Sequence, residues 1–288
     1  MIRRAIACLA VACIAVPAYS QPPPTIEPLE PDRPDVTNGT HIIDIGLLQV
    51  EIGGLYTRNG PSQTAFGSPF TARVGLTEWL EARFGTDGLV SETDIDGRAT
   101  GIGNLQLGAK LRLWADPGGV PVLSILPTVN IPTASAEKGL GSGEADYAIV
   151  LLTGTDIGGR GHVDVNYGIG AIGAGGGRPH FTQHLASVSA SVSASSHWNP
   201  YAEGFWFSKQ DADGGAMAAL DAGAVYVVSP QLAIDGGVQV GISQAAPDVA
   251  FFAGLSIIVG DVLGGHGVHQ RQRRAETRAV RRAPATHH

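Results

Sequence analysis

The chain has 288 residues, of which 43% are apolar and only 16% charged, and its 40 glycines are about twice the usual share. That length excludes a small disulfide scaffold, that apolar content excludes a disordered chain, and that much glycine argues against a helical bundle, where each Gly costs about 1 kcal/mol relative to Ala. The formal net charge of −7 hides an uneven distribution: residues 21–259 carry 11 basic and 24 acidic side chains, while 260–288 carry six arginines against Asp261 and Glu276.

Residues 1–20 combine Arg3 and Arg4, an apolar run from Ala5 to Val16, and Ala18-Tyr19-Ser20, the pattern of a cleaved secretory signal peptide. Both cysteines, Cys8 and Cys13, fall inside it, so the mature chain is expected to have neither a disulfide nor a Cys-based metal site. Export without cysteine points to a bacterial envelope protein. Ala10-Val11-Ala12-Cys13 also spells a weak lipoprotein box, but the apolar run continues beyond Cys13. Next comes a Pro-rich stretch, Gln21 to Pro34. Residues 21–41 read as an extended periplasmic lead rather than a plug, because polyproline-prone sequence has no packed core of its own.

Beyond the lead, no uninterrupted apolar stretch reaches about 18 residues, which leaves no candidate membrane helix. Period-two alternation recurs instead. Leu48, Val50 and Ile52 oppose Gln49, Glu51 and Gly53; Phe70, Ala72, Val74 and Leu76 oppose Thr71, Arg73 and Gly75; Leu80, Ala82 and Phe84 oppose Glu81, Arg83 and Gly85. Residues 104–113 put Leu105, Leu107, Ala109, Leu111 and Leu113 against Asn104, Gln106, Gly108, Lys110 and Arg112. Val163 to Ile169 alternates with Asp164, Asn166 and Gly168, Ala186 to Val192 with four serines, Leu220 to Tyr226 with Asp221 and Gly223, and Leu232 to Val240 with Asp235, Gly237 and Gln239. Segments 122–131, 147–157, 201–208 and 249–259 are less regular but strand-like, which brings the expected total to twelve.

Short connectors at 77–79, 115–119, 158–161, 195–200 and 229–231 alternate with longer polar ones at 58–67, 90–100, 134–146, 173–180, 209–216 and 243–248. Short turns at one end, longer loops at the other and an even strand number are the plan of an up-and-down antiparallel transmembrane β-barrel. The alternative, a soluble barrel or sandwich, would turn the apolar faces inward. A closed barrel of about twelve strands is too wide for side chains to fill, so that arrangement would leave a void. Polar faces turned inward instead place Glu51, Arg73, Glu81, Arg83, Lys110, Arg112, Asp164, Asp221 and Asp235 around a wet lumen, and the apolar faces against lipid. Trp79, Trp114 and Trp198 all fall at short turns, where an interfacial aromatic girdle lies. Lumen-side glycines such as Gly53, Gly75 and Gly237 suit a curved wall or a close backbone approach.

Asp32-Arg33-Pro34-Asp35, followed by Gly46-Leu47-Leu48-Gln49-Val50-Glu51, resembles the opening of the bacterial outer-membrane proteins of the MetA-pathway of phenol degradation family. Asn104 to Lys110, Asp235-Gly236-Gly237 and Phe252 to Leu255 resemble its later strands, so that the likeness spans about residues 31–259. The resemblance implies a monomeric or weakly oligomeric transporter-like barrel associated with uptake of aromatic or other apolar compounds. One departure is plain: outer-membrane barrels commonly finish on an aromatic residue, whereas here 29 residues ending in His287-His288 follow the final strand. That tail, 260–288, reads as a disordered end, although its arginines (Arg271, Arg273, Arg274, Arg278, Arg281, Arg282) could bind an anionic polymer.

Other motifs have bland readings. Gly168-Ile169-Gly170-Ala171-Ile172-Gly173 spells a dinucleotide fingerprint, but Gly175 to Pro179 follows where a helix is required. His180 and His184 lack further ligands by spacing, and the acidic runs Glu92, Asp94, Asp96 and Asp211, Asp213 read as solvated loops more than Ca²⁺ sites. An embedded hydrolase would pair His162 or His184 with a serine such as Ser187, yet no Gly-x-Ser-x-Gly elbow is present. The charged wall itself has two readings, mutual satisfaction of Glu51, Arg73, Glu81 and Arg83, or a constriction selecting by size and charge, and both can hold.

The expectation is a barrel at 42–259 in the outer membrane for passive passage of small, aromatic or otherwise apolar solutes. Its partners would be lipid and solute, with no nucleic acid, cofactor, metal or catalysed chemistry. A structural or adhesive barrel with a blocked lumen is the alternative, and the embedded hydrolase the third reading.

Overall fold

A computed structural model of the chain describes residues 29–34, 36–114 and 121–265. The signal peptide, Gln21 to Pro28 and the arginines of the C-terminal tail lie outside these described residues. In chain order the strand segments are β1 (Leu47–Asn59), β2 (Gln63–Gly67), β3 (Phe70–Thr77), β4 (Leu80–Thr86), β5 (Leu89–Thr93), β6 (Arg98–Ile102), β7 (Leu105–Trp114) and β8 (Val122–Ile131). After a short 3₁₀ turn at Ala136–Lys138 come β9 (Asp146–Ile157), β10 (Gly161–Ile172), β11 (Phe181–Val192), β12 (Trp198–Phe207), β13 (Met217–Ser229), β14 (Leu232–Gly241) and β15 (Val249–Asp261).

Neighbouring segments pair antiparallel, and β15 returns to β1 with Glu51 opposite Ser256 and Gly53 opposite Gly254, so the sheet closes on itself. Six of the segments are halves of three staves. β2 and β3 both lie along β1, β5 continues β4, and β6 continues β7, with breaks at 68–69, 87–88 and 103–104. The wall is therefore a closed barrel of twelve staves, as the alternation predicts. Closure matters in hydrocarbon, where each unpaired backbone group costs several kcal/mol.

The ends differ as expected, with one correction. Short turns join β3 to β4, β9 to β10 and β13 to β14, while longer connections join β8 to β9, β10 to β11 and β12 to β13. The first two expected loops, 58–67 and 90–100, are mostly strand: β1 turns into β2 around Gly60, and β5 turns into β6 where Asp94 Oδ1 accepts the backbone N–H groups of Asp96 and Gly97. Alternation fails to mark these hairpins because they rise past the apolar band, where both faces meet water and polar residues suit either side.

Side-chain direction follows the alternation. Lys110 is 0% exposed on the inner face of β7, whereas Leu107 and Leu113 on its outer face are 47% and 54% exposed. Leu151, Val165, Ile169, Val188, Leu220 and Ile234 likewise point out, and Gln49, Glu51, Arg73, Glu81, Asn166 and Ser187 are buried inside. A soluble fold would reverse this arrangement, since large apolar surfaces are left to water only at a cost of roughly 25 cal/mol per Å². Trp79, Trp114 and Trp198 stand exposed at the short-turn end, and Tyr56, Tyr147, Trp206 and Phe251 at the other. Trp198 and Trp206 bound one stave of this band, β12. Eight residues at ~3.3 Å, tilted by about 40°, span roughly 20 Å, close to the height of a lipid-facing band between two aromatic girdles.

The Pro-rich lead departs from expectation. Its described residues do not trail into the periplasm but cross the lumen. Leu29 packs with Ile43, Leu47, Ala233 and Ile258 inside the short-turn end, and its N–H donates to Pro230 O. The segment has no core of its own, and inside the barrel it needs none, because the wall supplies apolar cover, charges and hydrogen-bond partners.

Candidate functional site

The lumen is crossed at one level. Glu51, Arg73, Lys110, Asn166, Ser187 and Glu203 each lie four or five residues in from the short-turn end of their strands. Residues 32–43 meet them there.

One side of the crossing is ionic. Arg73 is 0% exposed and grips Glu81 in a fork, Nε to Oε1 at 2.8 Å and Nη2 to Oε2 at 3.0 Å, while its Nη1 reaches Glu51 Oε1 at 2.8 Å. Asp32 enters this network from the crossing segment. Its carboxylate receives Lys110 Nζ at 2.7 and 3.0 Å and Arg83 Nη1 at 2.5 Å, with Arg73 Nη1 at 3.4 Å. Burial pushes the Asp32 carboxyl up, but Arg73, Lys110 and Arg83 together outweigh it and hold it well below the usual carboxylate range. Arg33 pairs with Asp235 at 3.2 Å, and the N–H groups of Asp32 and Arg33 donate to Glu51. Room for the Arg33 guanidinium comes from two glycines facing each other across the β1–β15 seam. A Cβ on Gly53 would fall 2.2 Å, and one on Gly254 2.5 Å, from Arg33 Nη2.

The other side carries few ion pairs. The N–H groups of Val36 and Thr37 and the Thr37 hydroxyl all donate to Glu203, and the Thr37 hydroxyl also lies 2.8 Å from Ser187 Oγ. Asn38 N–H donates to Asn166 Oδ1 at 2.7 Å and Asn166 Nδ2 donates back to Asn38 O at 3.0 Å. Ser124 Oγ donates to Thr40 O and Lys110 Nζ to Gly39 O, and Ile43 N–H returns to the ionic side by donating to Glu81.

The crossing separates two environments. Toward the short-turn end lies a cavity of about 770 Å³, lined among others by Arg112, His162, Asp164, Ser191, Ser193 and Tyr201. Toward the long-loop end, Phe205, Met217, Ala219 and Ala246 form a buried apolar cluster joined by Phe207 and by Val36 of the crossing segment. Ala246 belongs to the β14–β15 loop, which folds inward over Gly241.

Of the nine lumen residues read from sequence, Glu51, Arg73, Glu81, Arg83, Lys110 and Asp235 thus join the ion network, and Arg112 and Asp164 line the cavity. Asp221 is buried on β13 directly across from Glu203. Sequence reasoning missed Asp32 and Arg33, which it assigned to the lead, and Glu203, whose strand read poorly because Tyr201, Phe205 and Phe207 share its inward face. The signal for the first two was available: an adjacent acid–base pair in a Pro-rich stretch, and a lumen wall with cations of its own.

The other motifs resolve into structural contacts. Both ring nitrogens of His162 lie on carboxylates, Nδ1 2.7 Å from Asp156 and Nε2 3.2 Å from Asp164. His184 meets the Tyr167 hydroxyl on the outer face at 2.9 Å, while Ser187 points inward to Thr37. Residues 168–172 of the glycine-rich motif are strand, within β10. Among the described residues no group of three His, Cys, Asp or Glu side chains is placed to hold a metal ion.

Among solved structures, the COG4313 outer membrane channel from Pseudomonas putida F1 is similar at 12% identity and a TM-score of 0.61, with 83% of this chain and all of that one covered. The NanC porin is similar at 10% identity and a TM-score of 0.54, covering 74% of this chain and all of that one. At such identities the likeness speaks for the fold. No curated protein matches the chain. The sequence pattern of one family spans residues 31–258, both the crossing segment and nearly the whole wall, and by that match the chain belongs to the MetA-pathway of phenol degradation family.

Proposed function

We propose that this outer-membrane barrel is a channel for passive passage of small apolar solutes, aromatics included, that catalyses no reaction. The observation that carries this reading is the pair of environments in one bore, a packed apolar cluster around Phe205 and Met217 at the long-loop end and a wet cavity at the short-turn end. A purely structural barrel has no need of apolar side chains on the inner wall, where they forgo lipid. An apolar solute gains from them, since each buried methylene contributes about 0.8 kcal/mol. The channel also named for Pseudomonas putida F1 has the same fold, which supports the reading. His162 held between two carboxylates, and His184 and Ser187 on opposite faces of β11, favour passage over hydrolysis.

The test is uptake of a small fluorescent aromatic, 1-naphthol, into Gram-negative cells lacking their general porins, whose lipopolysaccharide leaflet slows such solutes. Expression of the properly inserted barrel should raise the uptake rate several-fold. No increase would remove the transport claim. It would leave the second reading, a structural barrel with a blocked lumen, which the crossing segment itself favours.

A further inference from the structure

We propose that the solute route runs along the inner faces of β10, β11 and β12, and that the arch Val36–Thr40 is the gate across it. This deepens the channel reading above and rests on it. Three observations carry the proposal.

First, the crossing segment is fixed at both ends on the ionic side. Asp32 and Arg33 hold one end through Lys110, Arg83 and Asp235. At the other end Ile43 N–H binds Glu81, Gly46 N–H binds Gly75 O, and the chain runs covalently into β1. Between these ends the arch reaches across to β8, β10, β11 and β12, where it is held by hydrogen bonds to Ser124, Asn166, Ser187 and Glu203, and one bond from the ionic side, Lys110 Nζ to Gly39 O, must also part when it lifts. A segment clamped by ion pairs at one end, by its covalent run into β1 at the other and by hydrogen bonds alone at its middle yields first at its middle.

Second, the arch stands between the packed apolar cluster and the cavity on that same side of the barrel. Val36 packs against the apolar cluster of Phe205, Met217, Ala219 and Ala246, while Thr37, Gly39 and Thr40 line the cavity on the opposite side. Lifting the arch joins the two along one wall without parting any ion pair around Arg73.

Third, the inner wall below the arch is chemically suited to a solute leaving an apolar site. β11 presents Ser187, Ser189 and Ser191 in register, followed just past its end by Ser193, small hydroxyls with no fixed charge, flanked by Tyr201. Short hydroxyl side chains offer hydrogen bonds to a phenolic or alcoholic group and little steric obstruction. They would hold neither a strongly charged ion nor a large solute.

A disulfide across the arch tests the gate. The Thr37 and Ser187 hydroxyls are 2.8 Å apart, so Thr37→Cys with Ser187→Cys places two thiols where a bond can form. With 1-naphthol uptake as readout, the oxidised double variant should fall at least tenfold below the reduced one, and dithiothreitol should restore the rate of the reduced variant. Equal uptake in the two states, with the disulfide verified by mass spectrometry, overturns the gate. Ser191→Cys tests the route separately, because the residue lines the cavity and is partly exposed. Coupling a bulky maleimide to it should block uptake, and undiminished uptake by the labelled channel overturns the route. Wild-type uptake distinguishes the levels: if the unmodified barrel passes no naphthol, the channel reading itself fails, whereas a permeable wild type indifferent to staple and label removes only this proposal. Heat-modifiable gel migration identifies any variant that does not fold, and the single variant then carries the test.

Discussion

Two halves of one wall treat polar groups in opposite ways. Along β1, β3, β4 and β7 much of the inner face is a sealed ion network, with Arg73, Glu81 and Lys110 wholly removed from solvent and each matched by an opposite charge within a hydrogen-bond length. Along β10, β11 and β12 the inner face is largely serine, asparagine and aromatic, and it borders open space. The first half behaves as the interior of a protein and the second as the wall of a vessel. A barrel of twelve staves is too wide to be filled by its own side chains. This chain fills one side with long charged residues and the crossing segment, and leaves the other side to solvent and solute.

Breaking the filled half should have the largest effect. Arg73→Met strips Glu81 and Glu51 of their main partner and leaves buried carboxylates uncompensated, at a cost of about 3–5 kcal/mol. Loss of the heat-modifiable gel shift, or a large fall in the denaturant midpoint in detergent, is the expected result. A variant as stable as the wild type would mean that water reaches these groups and that the half is not sealed. Gly254→Val is the next in size. Its side chain enters the space of the Arg33 guanidinium and forces it off Asp235, and its Cβ, 2.6 Å from Ile52 O, also strains the β1–β15 seam, an overpacking of about 2 kcal/mol. The barrel should remain folded while residues 29–34 become open to protease and ion conductance rises. Unaltered protection would show that Arg33 has another resting place.

The smallest structural change falls on the open half. Ser187→Ala removes only the Thr37 hydroxyl contact, while Thr37 keeps its bonds to Glu203, so the arch should lose about 1 kcal/mol of docking. The measurement is hydrogen exchange at the Thr37 and Asn38 amides, expected to speed up by about fivefold, in line with 1 kcal/mol. A change as large as that of Gly254→Val would erase the contrast between the halves.

The wall was legible in the sequence and its contents were not, for a physical reason. A stave between lipid and water must alternate, so Leu105 to Leu113 and Ala186 to Val192 announced both their strand character and their direction. Where that constraint relaxes, the pattern does too. β2, β5 and β6 rise beyond the apolar band and read as loops, and β12 blurred because Phe205 and Phe207 face inward beside Glu203. The crossing segment has no period to read. The side chains of Asp32 and Arg33 bind Arg83, Lys110 and Asp235, which lie 51, 78 and 202 positions away, and these partners follow from closure of the barrel, a long-range fact that no local window contains. The charged residues of the wall were found by their face alone. Which of them would pair, and which would border the cavity, depended on where the crossing segment lay.

The comparison also predicts an effect that should be absent. Asp32 is held well below the usual carboxylate range, against the pull of burial, by Arg73, Lys110 and Arg83. A carboxylate whose folded value is depressed contributes stability that is fully present above its unfolded value of about 3.9 and is lost only as pH falls below that toward the folded value. The Asp32 anchor should therefore be unchanged between about pH 7 and pH 5, and on the acid side should begin to weaken only under about pH 4. Protease protection of residues 29–34 across that range is the check. Protection lost with a midpoint near pH 6 would show that the anchor depends on a group other than the Asp32 carboxylate, and would take control of the crossing segment away from the sealed half.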